Sequence, residues 1–318
     1  MKKLVVLDDY QNVALKMADW GRLGGRVEIK VLNRHIAGHE ELVRELTGAN
    51  ILICNRERTR ITAELISALP GLGLIVTSGM NNNSIDLAAA SARGVTVCGT
   101  ATLGYPTAEL TWAMILGFFR HLPDEVASLK GGGWQTRVGR GVRGKTLGVV
   151  GYGRIGKDVA KVGLAFGMNV LALSRSLTEE DAAAQGVKKA GLDKLLAESD
   201  VVTVHLGVNA ESRGLIGAEQ FARMKNTALF VNTSRSVVTD QKALVAALHA
   251  GEIGGAALDV YDIEPLPKDH PLMGAPNVLL SPHLGYVMEE NYRVSFGEAV
   301  ENVEAWLDGT PKRELKPR

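Results

Sequence analysis

Residues 146–176 read TLGVVGYGRIGKDVAKVGLAFGMNVLALSRS, and this stretch constrains the fold more than any other. A β-type run at 146–150 leads into Gly151, Gly153 and Gly156, and a helical pattern follows with Ile155, Val159, Val162 and Phe166 on one face. Gly167 stands where that helix must stop, and a second apolar run, 169–173, ends at Ser174, Arg175 and Ser176. Strand, glycine-rich turn, helix, strand is the context that gives a GxGxxG spacing physical meaning. Gly151 is expected to make the tight turn, Gly153 to let backbone amides approach a pyrophosphate, and Gly156 to let the helix lie against the strand. The amides at the helix start, from Arg154 and Ile155 onward, supply donors and a favourable dipole for phosphates. The stretch predicts a dinucleotide-binding α/β unit.

The end of the second strand chooses between dinucleotides. An acid there would accept hydrogen bonds from the ribose hydroxyls and repel a 2′-phosphate, whereas an arginine suits that phosphate. Here the strand ends in Ser174, Arg175 and Ser176, with no acid before Glu179. NADP(H) is the expected preference, with NAD(H) second.

A chain of 318 residues is long enough for two domains with substantial cores. Its 46% hydrophobic and 22% charged composition fits a soluble globular protein. A net charge of +1 gives no electrostatic case for nucleic acid or an anionic membrane as partner. Cys54 and Cys98 form neither a CxxC pair nor a disulfide framework, and read as core thiols of a cytoplasmic protein. The apolar start at 4–7 stops at Asp8 and Asp9, too soon for a signal peptide. The run 110–119 falls short of the roughly 20 residues that span a bilayer.

Before the glycine motif the chain already alternates. β-type runs at 4–7, 27–31, 51–54, 74–77 and 95–98 are separated by helical stretches at 40–46 and 63–69 and after Ser84, read as an N-cap. That alternation predicts a parallel sheet covered on both faces. Pro106 then opens a long helix reaching about Arg120, a Gly- and Arg-rich connection occupies 131–144, and further strands fall at 201–204, 228–232, 255–258 and 278–280. Tyr292, Phe296, Val300, Val303 and Leu307 mark a closing helix that is expected to return to the first domain. The fold class is α/β, with two doubly wound parallel-sheet domains. A Rossmann domain, 100–285, is inserted into a flavodoxin-like substrate domain, 1–99 and 286–318, and a hinged cleft is expected at the carboxyl ends of both sheets.

Arg235, Glu264 and His283 each follow one of the later strands, as VNTSRSVVTD, AALDVYDIEPLP and NVLLSPHLGY. In this order behind GYGRIG, and with TSGMNNNSIDLAAASARGVTV and YPTAELTWAMIL upstream, these strings resemble the D-isomer-specific 2-hydroxyacid dehydrogenase family over nearly the full chain. The resemblance implies that Arg235 binds the carboxylate and polarises the keto oxygen of a 2-oxoacid. It implies that His283 exchanges a proton with that oxygen and that Glu264 pairs with His283. The physical chemistry agrees, since a guanidinium matches a carboxylate and a developing alkoxide, and imidazole exchanges protons nearest neutrality.

The same resemblance assigns Arg154 and Ile155 to the pyrophosphate and Arg175 to the adenosine half. It puts Thr233 beside the nicotinamide, Asp259 on the carboxamide, and the backbone near Gly79, Met80 and Asn81 on the substrate carboxylate. Asn81 stands where the family usually has a second glycine, Tyr286 where it has a small residue, and Gly207 where proline is common. These departures leave pocket shape open, with Met80, Asn81, Tyr286 and Arg56 or Arg58 bordering the substrate side chain.

Other dehydrogenase classes fit worse. No tyrosine has a lysine four residues on, and neither zinc-ligating cysteines nor HExxH is present, so no metal is expected. L-specific enzymes usually carry the glycine motif near the N-terminus, and here it begins at Gly151. The sequence therefore reads as a reductase of small 2-oxoacids such as glyoxylate or hydroxypyruvate, giving the (R)-2-hydroxyacid. The alternative is a corepressor-like dinucleotide sensor with little turnover. Phosphoglycerate dehydrogenases often carry an appended regulatory domain, for which a chain ending at Arg318 has no room. A homodimer is expected from the family tendency; the helix of Trp112, Phe118 and Phe119 is a candidate contact, and burial in its own core explains its apolar face equally well.

Overall fold

The computed structural model describes residues 1–317. The chain forms two compact units, Met1–Leu103 with Val287–Arg318, and Gly104–Tyr286. In the first unit the elements run β1 (Lys2–Val6), β2 (Val27–Val31), α1 (His39–Leu46), β3 (Ile51–Cys54), α2 (Ala63–Ala68), β4 (Leu74–Thr77), α3 (Leu87–Ala92) and β5 (Thr96–Gly99). The second unit holds α4 (Tyr105–Phe119), α5 (Leu122–Lys130), β6 (Thr146–Val150), α6 (Arg154–Ala165), β7 (Asn169–Leu173), α7 (Glu179–Ala184) and β8 (Lys188–Lys189). It continues with α8 (Leu192–Glu198), β9 (Val201–Val204), α9 (Ala218–Ala222), β10 (Leu229–Asn232), α10 (Gln241–Ala250), β11 (Gly255–Leu258) and β12 (Val278–Leu280). Helix α11 (Glu289–Leu307) then packs on β4 of the first unit.

The first sheet has the order β2-β1-β3-β4-β5, the flavodoxin-like arrangement. The second, β12-β11-β10-β9-β6-β7-β8, is the Rossmann order with one more strand beyond the sixth. Both are parallel throughout their ladders. Covered on both faces, the strands read as unbroken apolar runs because neither side meets water. In the Rossmann sheet, Leu147, Val149 and Val231 face the α4 and α6 side, while Val150, Val202 and Phe230 face the side of α8, α9 and α10. Burying side chains such as Phe230, with no exposed surface, contributes about 1.5–3 kcal/mol each.

Two local expectations are corrected. Helix α6 buries Gly156, Val159, Ala160 and Gly163, while Val162 and Phe166 are 37% and 38% exposed. The helix lies too close to the sheet for bulk, since a Cβ on Gly163 would stand 2.7 Å from Leu147 Cδ2. Phe166 is instead turned sideways against Trp112 of α4, with ring centroids 5.1 Å apart. The cap of α3 is Asp86, which accepts from Ala89 N at 2.8 Å, and the Ser84 hydroxyl donates to Glu57 O. Of the two readings left open for α4, burial in its own unit holds for Trp112 and Phe119. The unforeseen helix α5 buries none of its residues. It and the following arm expose Leu122, Val126, Leu129, Trp134 and Val138, the last two by 73% and 92%.

Candidate active site

The glycine turn has the geometry its spacing requires. Gly151 sits at φ +100°, in the region that disfavours side chains, and a Cβ there would stand 2.7 Å from His205 O. A Cβ on Gly156 would collide with Gly151 O, so only glycine lets α6 begin so close to β6. Gly153, the N-cap of α6, offers no side-chain cap and has open space around it. The first amides of a twelve-residue helix are thus presented without a competing side-chain acceptor. These features fit a dinucleotide pyrophosphate. Arg154 opens the helix with its guanidinium against Gly104.

His205 closes this turn from β9. Its amide bonds Val150 O at 2.8 Å, its Nε2 lies 2.9 Å from Thr203 Oγ1, and its Nδ1 is buried without a hydrogen-bond partner. Burial pushes the imidazole down to about 4.

At the end of β7 the Ser174 and Ser176 hydroxyls lie 3.4 Å apart. Arg175 is exposed and its Nη1 donates to Glu211 Oε2 at 2.6 Å. The Arg175 guanidinium is thus engaged by a carboxylate from the loop after β9, in an exposed ion pair. Such pairs are weak and yield readily to a better partner.

Three neighbouring strands carry the remaining chemistry at their carboxyl ends. After β10, the buried Asn232 accepts from the Ser234 amide and hydroxyl at 2.9 Å, and its Nδ2 donates to Arg235 O and Thr239 Oγ1. This folds the turn that presents Arg235, whose Nη1 donates to Ser234 O at 2.8 Å. Thr233 Oγ1 lies 2.8 Å from Thr111 Oγ1, and Thr111 donates its own hydrogen to Thr107 O at 2.7 Å. Thr233 is therefore the donor of the pair, pinned to α4.

Glu264, beyond β11, accepts from Tyr261 N at 3.0 Å through Oε1 and meets His283 Nδ1 at 2.5 Å through Oε2. His283, beyond β12, holds φ +54°. For a residue with a side chain this is a sparsely populated conformation that costs on the order of 1 kcal/mol and that clusters at functional sites. Tyr286 sets its ring edge-on to the imidazole, centroids 5.5 Å apart.

The fully buried Asp259 fixes this turn. Its Oδ1 accepts from Ser281 Oγ at 2.5 Å and Leu284 N at 2.7 Å, and its Oδ2 from Gly285 N at 2.8 Å. Burial pushes its carboxyl up, against the pull of these donors. Tyr261 adds a brace, its hydroxyl 2.9 and 2.8 Å from the carbonyl oxygens of Leu258 and Ser281. Asn232, Tyr261, Ser281 and Thr111 lay outside the sequence reading. The only signal for them was position, at or just beyond strand ends and in the second turn of α4.

In the first unit, Gly79, Met80 and Asn81 follow β4. Gly79 has φ +95° and its amide bonds Thr100 Oγ1 at 3.3 Å, while Met80 and Asn81 are exposed. Arg56, itself at φ +58°, donates from Nη1 to Ser78 O at 3.3 Å. Arg58 stacks over the Tyr10 ring, 5.1 Å from its centroid.

Comparison with known proteins places this geometry. Residues 112–285 match the model of the D-isomer specific 2-hydroxyacid dehydrogenase NAD binding domain. A glyoxylate reductase of Aeropyrum pernix is 39% identical over 260 residues, 79% of this chain and 78% of its own. A D-3-phosphoglycerate dehydrogenase of Archaeoglobus fulgidus is 41% identical over 250 residues, 77% of this chain, but the match spans only 47% of that protein. The chain thus spans about half the length of the curated phosphoglycerate dehydrogenases it matches. The crystal structure of a phosphoglycerate oxidoreductase from Vibrio cholerae superposes with a TM-score of 0.92 at 36% identity, covering 97% of this chain and all of that one.

Proposed function

Because this chain belongs to the D-isomer-specific 2-hydroxyacid dehydrogenase family, we propose that it is an NADP(H)-preferring oxidoreductase reducing a small 2-oxoacid to the (R)-2-hydroxyacid. The observation that carries this reading is the 2.5 Å pairing of Glu264 with a His283 held at positive φ beyond the last strands of the Rossmann sheet.

The reduced dinucleotide, when bound, supplies the hydride. Arg235 holds the substrate carboxylate and polarises the keto oxygen, which accumulates negative charge as the carbonyl is reduced. His283 delivers a proton from Nε2 to that oxygen, and in the reverse direction removes it. Glu264, bonded to Nδ1, fixes the tautomer and the ring orientation and offsets the charge of the imidazolium. The amides of the Gly79–Met80–Asn81 loop grip the carboxylate. With the Gly79 amide already engaged by Thr100, the grip falls to Met80 and Asn81. Tyr286 borders the substrate side chain.

Arg154, Ile155 and the amides around Gly151, Gly153 and Gly156 hold the pyrophosphate, while Ser174, Arg175 and Ser176 hold a 2′-phosphate in place of the Glu211 carboxylate. Thr233 and Asp259 serve the nicotinamide end. Asp259 also carries the 284–285 turn, so its loss displaces His283 too. Among the described residues no helix is long and apolar enough to cross a membrane, and both cysteines are buried thiols. A cytoplasmic homodimer completes the reading.

Glyoxylate and hydroxypyruvate are the leading substrates. A phosphorylated 2-oxoacid is the second, favoured by Arg56 and the Tyr10-stacked Arg58 beyond β3. The test is a panel of 2-oxoacids, phosphorylated and not, with NADPH and NADH, followed by chiral analysis of the product. Turnover of a 2-oxoacid to the (R)-product supports the proposal. Dinucleotide binding without turnover of any member rejects it in favour of a sensor.

A further inference from the structure

Helix α11 carries a polar stripe at helical spacing, the buried Asn291, Ser295 and Asn302 with the half-buried Glu298, on a helix whose other buried positions are mainly apolar. Each member of the stripe serves the short segment that leaves β5. Asn291 Oδ1 accepts from Leu103 N at 2.8 Å, Glu298 Oε2 from Ala101 N at 2.6 Å, and Asn302 Nδ2 donates to Gly99 O at 2.8 Å. Buried polar groups on a helix are costly unless satisfied, and here the satisfaction lashes residues 99–103 along the helix.

Ser295 does something more. Its hydroxyl lies 3.1 Å from Thr100 Oγ1 and donates to Ser78 Oγ at 2.9 Å, while Thr100 Oγ1 accepts from Gly79 N at 3.3 Å. Thr100 Oγ1 also reaches Ala101 O at 3.3 Å, so its single hydrogen serves either that carbonyl or Ser295, and the contacts link Gly79 N, Thr100 Oγ1, Ser295 Oγ and Ser78 Oγ in one chain. Both Thr100 and Ser295 are buried, at 1% and 4% exposure. Directly below, Gly99 packs so closely that a Cβ would stand 2.7 Å from Gly79 O and 2.8 Å from Met80 Sδ. The loop 78–81 is therefore bonded at both Ser78 and Gly79 to a platform made by residues 99–100 and α11, while Met80 and Asn81 stay exposed at its tip.

We propose that Thr100 and Ser295 are positioning residues for substrate binding: their hydroxyl relay holds loop 78–81 in the conformation whose Met80 and Asn81 amides grip a 2-oxoacid carboxylate. This rests on the reading of that loop as the carboxylate grip. Neither residue touches the reacting atoms. Without the relay the loop amides lose their preset orientation, and each binding event must order them anew, which weakens substrate binding rather than the chemical step.

The test compares Thr100→Val and Ser295→Ala with the conservative Thr100→Ser and Ser295→Thr in the full-length protein. The Val and Ala variants are expected to raise KM for the 2-oxoacid about 5- to 20-fold, with kcat within about threefold. NADPH affinity should be unchanged, and Thr100→Ser should recover most of the KM. Amide hydrogen exchange on the free protein should accelerate across 79–82 and stay constant across α6 in the Val and Ala variants. Unchanged exchange at 79–82 overturns the proposal, with or without a known substrate. A wild-type KM in both variants overturns it as well, as does a loss of kcat, NADPH affinity and melting temperature together that Thr100→Ser shares. Failure of the wild-type protein to reduce any 2-oxoacid would instead overturn the functional reading, leaving the exchange result to decide whether the relay orders the loop.

Discussion

Glu264 Oε2 and His283 Nδ1 are 2.5 Å apart, although Glu264 follows β11 and His283 follows β12. Two separate constraints make that distance. Tyr261 N anchors the other carboxylate oxygen at 3.0 Å, and the Asp259 carboxylate gathers Ser281, Leu284 and Gly285 so that the His283 turn has no freedom to drift. If the carboxylate orients the ring and offsets its charge, Glu264→Gln keeps the hydrogen-bonding shape and loses the charge. The expected result is a fall in kcat of about 10- to 100-fold with NADPH binding unchanged. Steady-state kinetics beside fluorescence titration of NADPH measures both, and a kcat within twofold of wild type would contradict the assignment.

The proposed NADP(H) preference turns on the exposed ion pair of Arg175 with Glu211. Arg175→Asp is expected to lower the ratio of kcat/KM with NADPH to that with NADH by about 30-fold or more, because it exchanges a phosphate-binding cation for a ribose-binding acid. Glu211→Gln frees the guanidinium from an exposed ion pair and should raise the same ratio about two- to fivefold. Initial-rate series for wild type and both variants with each cofactor decide it, and an unmoved ratio in Arg175→Asp would place the discrimination elsewhere.

His205 gives the fold an acid liability. Its imidazole titrates at about 4 in the fold against 6.5 for an ordinary histidine. Between those values the unfolded chain takes up a proton that the folded one refuses. Stability present above pH 6.5 is therefore lost as pH falls towards 4, by about 2 kcal/mol at pH 5. Urea unfolding from pH 7 to 4.5 should show a shallower decline for His205→Leu than for wild type. Parallel curves would mean that His205 does not contribute the slope.

For the proposed homodimer, the exposed arm that follows α4 is the surface to test. Leu129 and Trp134 are 58% and 73% exposed, whereas a monomer seldom leaves so many large apolar side chains of one segment in water. The double change Leu129→Asp with Trp134→Lys is expected to convert a dimer into a monomer in sedimentation velocity. A wild-type protein that sediments as a monomer at micromolar concentration would remove the dimer from the account.

The sequence disclosed most where a local pattern has one physical meaning. The glycine spacing at 151–156 stated the turn and the helix packed behind it, because a Cβ at Gly151 or Gly156 has nowhere to go. Arg235, Glu264 and His283 were legible as strand-end polar residues, but the bond between the last two was legible only through the family resemblance, since it links loops 19 residues apart in sequence. The face of α6 was misread because apolar spacing assumes that bulk packs inward, and this helix approaches its sheet on Gly156, Ala160 and Gly163. Glu211 was invisible from the end of β7 because the loop that carries it belongs to β9. The relay from Gly79 to Ser295 joins residues more than 200 positions apart, as the Ser78–Ser295 bond shows, and no periodicity reports that.

The most direct test of the central claim is initial-rate reduction of a 2-oxoacid panel by wild type and His283→Ala, each saturated with NADPH as verified by titration. The account predicts turnover by wild type of at least one unsubstituted or phosphorylated 2-oxoacid, and a loss of about 100- to 10,000-fold in His283→Ala at undiminished NADPH affinity. A wild-type protein that binds NADPH yet reduces none of the panel, or a His283→Ala protein that keeps the wild-type rate, would contradict it.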